Sequence, residues 1–403
     1  MFDPITLAGQ ADRYPLYRQL RDDAPALKFE MGPISAWLLT RYSDVSGLLK
    51  RPDARVKPPG GLGSPAGLGS GPAAIMFDAQ MVMSDPPVHD RLRRLAMPAF
   101  TAQVIASLKT WIEDLVEKRV EDLAEMEHFD LVGDLATYVP GSTILHILGI
   151  PAADWEPLIS RVPAFLFAFS PFPITNEQRT ICDEACQFYF DYFGAVVDER
   201  RKAPGDDIVG RLITAHDRDE RLSRLELLAI LNAFLNAGYE TTMSALGTGV
   251  WAMLSQGDPW AALCANPGLA PLALEETLRW DPPVHFLFRY PDIDLTVEGQ
   301  TIRAGEPVLL GLASANRDER RFQDPDRIDI SRKDNAHVTF GGGRHFCIGA
   351  QLAKLEARTT LAALARRMPK LELIETHLDR QISLMFPAIK RLRVRAGALS
   401  ING

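Results

Sequence analysis

From Ser223 onward the chain carries a helical pattern too long for a small domain to hold. Ser223-Arg224-Leu225-Glu226 is a capping box, in which the serine and the glutamate three residues later satisfy each other's free backbone N–H groups. Leu227, Leu228, Leu231, Phe234 and Leu235 then fall on one helical stripe, and the pattern continues to about Gln256. At ~1.5 Å per residue that is roughly 48 Å of helix, which must cross the whole molecule. Its middle reads Ala237-Gly238-Tyr239-Glu240-Thr241-Thr242, which is odd for a buried helix. Glycine costs about 1 kcal/mol relative to alanine there. Glutamate is rarely buried without a partner. Threonine hydroxyls bond the carbonyl one turn back and bend the helix. The segment predicts a locally opened helix; the plain alternative is an exposed Glu240 with threonines facing their neighbours.

A second feature stands at Phe340-Gly341-Gly342-Gly343-Arg344-His345-Phe346-Cys347-Ile348-Gly349. This glycine-rich loop ends in a single cysteine and runs into an alanine- and leucine-rich helix. Gly341, Gly342 and Gly343 allow backbone conformations closed to other residues and close approach to a flat ring. The N–H groups after Cys347 can point at its sulfur, and a helix N-terminus favours negative charge there. A lone thiolate in this setting can serve as the fifth ligand of a haem iron; a bare structural cysteine in a turn is the plain alternative.

The pattern Phe-x-x-Gly-x-His-x-Cys-x-Gly resembles the haem-binding loop of the cytochrome P-450 family, the haem-thiolate monooxygenases. The resemblance implies that Cys347 is the axial iron ligand, that His345 contacts a haem propionate and that Phe340 packs near the ligand loop. Ala237 and Gly238 with Glu240 and Thr241 are similar to the family's oxygen-binding groove and acid–alcohol pair, which supplies and organises protons for the reduction of dioxygen.

Glu276-Thr277-Leu278-Arg279 is a Glu-x-x-Arg on a helix that stops before Pro282-Pro283. Most such pairs are solvated and worth little. The resemblance implies instead a buried network with a downstream arginine, matched here by Arg327, that holds the cysteine loop. Haem carries two propionates, so its site needs cations. His89 and Arg93, one turn apart, and Arg289, in the apolar run Phe286-Leu287-Phe288-Arg289, match the family's propionate ligands. Leu295 through Leu310 reads as short strands with turns at Glu298-Gly299 and Ala304-Gly305. The family's motifs thus occur in the family's order across almost the whole chain. They imply a mainly α fold with small β-sheets (α+β), a single domain over residues 1–403, and the long helix lying over haem b.

Composition is consistent with this. The chain has 403 residues, 46% of them hydrophobic, and no linker or internal repeat divides it. No run of 18 apolar residues and no signal peptide is visible, so a soluble cytoplasmic protein like the bacterial members is expected. A net charge of −8 argues against nucleic acid as a partner. Cys182 and Cys186 share a helix face, but no second metal-ligating pair accompanies them, so they read as core.

The implied reaction inserts one oxygen atom from O2 into a small, largely apolar organic substrate. Electrons are expected from a separate ferredoxin with an NAD(P)H-dependent reductase, docking near Arg91, Arg94, Arg344 and Lys354; the protein is expected to be a monomer. Substrate-facing candidates are Phe167 within the run 165–169, Phe172, Val284, His285, Phe286, Leu287, Met385 and Phe386. His285 is the one polar group placed to orient a substrate, and the glycines between 60 and 71 suggest an entry loop. A peroxide-using or non-oxygenating haem-thiolate enzyme, and a non-catalytic haem protein, are the alternatives.

Overall fold

The computed structural model describes residues 3–31, 34–58, 60, 67–205, 207–214, 221–375 and 378–397. Positions 59 and 61–66 of the expected entry loop lie outside the described residues.

Helices form the bulk and strands gather in small sheets. The elements that position the site are, in chain order, α1 (Tyr14–Asp23), β1 (Ala26–Met31), β2 (Ile34–Leu39), α2 (Tyr42–Lys50), β3 (Ala54–Arg55), α3 (Pro72–Asp78), α4 (Val88–Ala96), α5 (Ala102–Ala124), α6 (Tyr138–Ile147), α7 (Asn176–Lys202), α8 (Arg224–Gln256), α9 (Ala270–Trp280), β4 (Phe286–Pro291), β5 (Leu295–Val297), β6 (Gln300–Ile302), β7 (Val308–Gly311) and α10 (Ala350–Arg367). The largest sheet has the order β1-β2-β7-β4-β3; β2 and β7 run parallel and its other neighbours antiparallel. β5 and β6 form the expected hairpin, with Glu298 and Gly299 both at positive φ, the backbone that a two-residue turn between twisted strands requires.

Helix α8 is the organising element. Both halves of the Ser223–Glu226 capping box are made. Of its 33 residues, 22 are buried, on every side rather than on one stripe, which marks a central helix. It packs against α6, α7, α9 and α10, and α10 in turn lies along α5 and α9. Cys182 and Cys186 are fully buried on α7, as core residues should be. Helix α3 is fixed to α7 by a cap from outside its own chain segment: the N–H of Ala73 donates to Asp183 Oδ1 at 2.9 Å. A Cβ at Gly71 would lie 2.5 Å from that carboxylate, so the glycine is what lets the chain approach it. No helix among the described residues is long and apolar enough to cross a membrane.

Candidate active site

The cysteine loop is tightly wound. Gly341 and Gly343 lie at φ 73° and 61°, and a Cβ on Gly343 would stand 2.8 Å from the carbonyl of Leu49 at the end of α2. The glycines therefore serve close packing against α2 as well as an unusual backbone. The N–H of Phe346 donates to Gly343 O at 3.1 Å and that of Cys347 to Phe340 O at 3.0 Å. Cys347 is accessible although it lies deep in the fold. Burial pushes its thiol pKa up, while the N–H groups of Gly349 and Ala350 and the Arg93 guanidinium pull it down. These groups favour a thiolate once a cation sits against the sulfur.

Around the loop the structure assembles the predicted propionate-binding side chains. The rings of His89 and His345 stand 4.1 Å apart. Arg93 donates to Phe346 O at 2.9 Å. Arg289, buried on β4, donates to the carbonyl of its own neighbour Phe288 at 2.7 Å. Burial lowers its pKa to about 10, with Asp85 opposing. His345 Nε2 is buried with no partner. Burial, then Arg289, His89, Arg344 and Arg93, drive the pKa of His345 down to about 3. Asp90 holds His89 Nδ1 at 3.0 Å and Arg344 at 3.5 Å. Clustered cations beside an orphaned buried ring nitrogen call for an anion, and two propionates beside a thiolate-held iron fit both the charge and the donors.

At mid-helix in α8, Ala237 is exposed, and Gly238 and Thr241 half-exposed, within a helix otherwise largely buried. Their spacing puts them on one stripe, so this face of the helix is left uncovered there. The expected local opening is absent: α8 is continuous α-helix from Arg224 to Gln256. Thr241 Oγ1 donates to Ala237 O at 2.7 Å, occupying that carbonyl without breaking the helix. Gly238 also has a packing role, since a Cβ there would lie 3.2 Å from Ile144 Cδ1 of α6. Glu240 is buried rather than exposed, and burial raises its pKa to about 7.

The Glu-x-x-Arg pair is fully buried. Arg279 grips both oxygens of Glu276, at 2.9 and 2.8 Å, and donates to the carbonyls of Asn316 and Pro325 at 2.9 and 2.8 Å. The downstream arginine is not Arg327. That side chain is exposed, and the residue contributes only its carbonyl, 3.3 Å from Arg279. Arg332 takes the place, its Nε 3.0 Å from Glu276 Oε2. The N–H of Asp329 and the amide of Asn335 complete the carboxylate's shell. Asn316 then bridges to Val338 N–H and Thr339 Oγ1, just before the cysteine loop.

Two of the expected substrate contacts are corrected. His285 has both ring nitrogens engaged, with Tyr17 Oη at 3.1 Å and Asp281 at 3.0 Å. Burial drives its pKa down to about 4. It lines a separate cavity of about 370 Å³ walled by Arg13, Tyr14, Trp251, Trp280 and Arg380. Phe286 is buried against Tyr17. Strand alternation explains this: Phe286 and Phe288 share one face of β4, and Leu287 shares the other with Arg289. Val284 and Leu287 are half-buried, as are Phe167, Phe172 and Phe386, while Met385 is buried beside Phe286. Phe169 joins Phe77, Phe165 and Phe386 in edge-on contacts with centroids 5.3, 5.6 and 6.1 Å apart. Phe77, on α3, was not anticipated; it follows Ala-Ala-Ile-Met in a short apolar run that carries no distinctive spacing.

The expected basic face is largely neutralised. Arg91 is paired with Glu226, Arg344 with Asp90, and Lys354 with Glu275 at 2.7 Å while lying over the Phe340 ring.

Fold and site together define a haem-thiolate oxygenase, and comparison with known proteins agrees. The Cytochrome P450 family model matches residues 17–258 and 269–375. The mycinamicin IV hydroxylase/epoxidase of Micromonospora griseorubida is 35% identical over 385 residues, 92% of this chain and 90% of that protein. The vitamin D(3) 25-hydroxylase of Pseudonocardia autotrophica is 34% identical, over 89% of this chain and 87% of its own length. The crystal structure of P450BioI with an acyl-carrier-protein-linked hexadecenoic acid superposes with a TM-score of 0.90 at 28% identity, covering 98% of this chain and 99% of that one. The chain belongs to the cytochrome P450 family. It is a monooxygenase that uses haem b and O2 and acts on an organic substrate with electrons from a redox partner.

Proposed function

We propose that this single-domain cytoplasmic monomer hydroxylates a small, largely apolar organic compound with electrons from a ferredoxin served by an NAD(P)H-dependent reductase. The observation that carries the reading is the accessible Cys347, with two backbone N–H groups on its sulfur, beside the guanidinium groups of Arg93, Arg289 and Arg344 and the unpartnered ring nitrogen of His345. Haem, when bound, supplies the activation of dioxygen, one atom of which enters the substrate while the other leaves as water. Cys347 holds the iron. His89, Arg93, Arg289 and His345 hold the propionates, and Phe340 backs the loop. Glu240, poised by burial near neutrality, holds the proton to be delivered. Thr241, on the exposed stripe, passes it on; its hydroxyl can let go of Ala237 O to do so. Leu287, Val284, Phe167 and Phe386, with Phe169 backed by the buried Phe77, offer the substrate an apolar and aromatic surface and no fixed charge. The face around Arg91, Arg94, Arg344 and Lys354 meets the ferredoxin with opposed ion pairs rather than bare positive charge.

Turnover under isotopically labelled dioxygen tests this. One labelled atom in the product and one in water is expected. Thr241→Ala should divert electrons to peroxide and lower product per electron consumed. Product without label, or a Thr241→Ala variant as tightly coupled as wild type, would favour a peroxide-using or non-oxygenating enzyme.

A further inference from the structure

Three polar residues of α8 face one way. Asn232, Asn236 and Glu240 recur at four-residue spacing, so their side chains stand one above another along one side of the helix. All three are buried, with 0%, 5% and 5% of their surface exposed. Asn236 Nδ2 donates to the backbone carbonyl of Asn232 at 2.8 Å. This fixes the amide's orientation, because the reverse would set oxygen against oxygen. Asn236 Oδ1 is then left with no partner. Asn232 Oδ1 accepts from Gln80 Nε2 at 3.1 Å, and Asn232 Nδ2 is left with none. Unsatisfied buried groups of this kind are destabilising.

The two orphans are complementary, one donor and one acceptor on adjacent turns. A single water satisfies both by accepting from Asn232 Nδ2 and donating to Asn236 Oδ1, with its second hydrogen free for the carboxyl one turn further on. The relay requires this orientation: with Gln80 and Asn232 both reversed, the water would donate to both asparagines and have no hydrogen left for the carboxylate. At its far end the column meets Gln80, which is itself buried and lies two residues before the 47%-exposed Val82.

We propose that Asn232 and Asn236 hold an internal water that hydrogen-bonds Glu240 and passes solvent protons to it. They are positioning residues, and the inference rests on the reading of Glu240 as the proton donor. In each cycle Glu240 gives up one proton on the Thr241 side and takes one from the water, which is reprotonated from solvent. No electron moves in the exchange. Tyr239, the titratable neighbour on the helix, is held by burial at about 12 and stays neutral. The arrangement explains how a carboxyl without a charged partner is recharged inside an apolar helix bundle.

The test uses the haem-loaded protein. A high-resolution crystal structure should show an ordered water within hydrogen-bond distance of Asn232 Nδ2 and Asn236 Oδ1. The infrared carbonyl band of Glu240, assigned by its loss in Glu240→Gln, reports the carboxyl directly. Asn236→Leu should remove the water, move the band toward that of a free acid and raise its titration midpoint by about one pH unit, because a hydrogen bond to the charged form is lost. Asn236→Ser, which leaves room for water and an acceptor, should restore both. Asn232→Leu serves as the second variant should Asn236→Leu fail to fold. A dry helix in the wild type, or a band and midpoint unchanged in the leucine variants, overturns the proposal. The carbon-monoxide spectrum of each protein separates the two levels: a thiolate signature with an unmoved Glu240 band sinks only this inference, whereas its absence throughout sinks the haem-thiolate reading.

Discussion

The region that holds Cys347 and the aromatic region around Phe169 are built by different forces. Behind the cysteine loop, one buried carboxylate, Glu276, is satisfied by Arg279, Arg332, Asn335 and the N–H of Asp329, and the chain of bonds runs through Asn316 to Thr339. Such bonds are directional and fail when one partner is removed. The aromatic region is held by edge-on ring contacts among Phe77, Phe165, Phe169 and Phe386 and by one cap, Asp183 on Ala73. Dispersion contacts are individually weak and can repack. One arrangement is rigid and directional; the other can adjust by repacking.

The largest expected effect falls on the network. Glu276→Ala or Arg332→Ala should cost about 3–5 kcal/mol, read by denaturant unfolding, with loss of haem. Arg327→Ala should stay within about 0.5 kcal/mol, as surface substitutions do. Equal effects at Arg327 and Arg332 would refute the assignment.

Glu240 comes next. Its folded pKa, about 7, lies above the ordinary 4.5, so the folded state binds the extra proton between those values. Stability from this group is fully present below pH 4.5 and is lost as pH rises through 7, by up to roughly 3 kcal/mol. Glu240→Gln should abolish that loss, so the wild type should fall relative to the variant across this window. Parallel stability curves would contradict a buried, neutral Glu240.

Asp183→Ala should be milder. Losing a cap costs about 1 kcal/mol, and freeing α3 should weaken substrate binding several-fold while leaving the carbon-monoxide spectrum unchanged. Asp183→Asn, which keeps the acceptor, should bind nearly as the wild type does. The smallest effect is expected at Lys354, where charge reversal removes a cation already paired with Glu275 and should slow electron transfer only slightly at physiological salt.

The same contrast explains what the sequence reveals. Helix α8 is readable to both ends because its cap and stop are local chemistry, and the cysteine loop because glycine, histidine and cysteine are each needed where they stand. Arg332 is invisible beforehand: it pairs with a glutamate 56 positions away, and Ser331-Arg332-Lys333 looks like any charged turn. Phe286, Leu287 and Phe288 are all apolar, so alternation pairs Leu287 with Arg289 but only the fold shows that Phe286 turns into the core against Tyr17. His285 reads as a lone polar residue in an apolar run, and only the fold brings Tyr17 and Asp281 to its two nitrogens. Asn232 and Asn236 escape notice because an apolar stripe draws attention to its own members and not to the amides between them.

The most direct test is the absorption spectrum of the reduced, carbon-monoxide-bound protein, wild type beside Cys347→Ser. A strongly red-shifted Soret band in the wild type, lost in the variant, is predicted for thiolate ligation by Cys347. A wild-type band at the position typical of histidine-ligated haem, or a red-shifted band that survives in Cys347→Ser, would contradict the account.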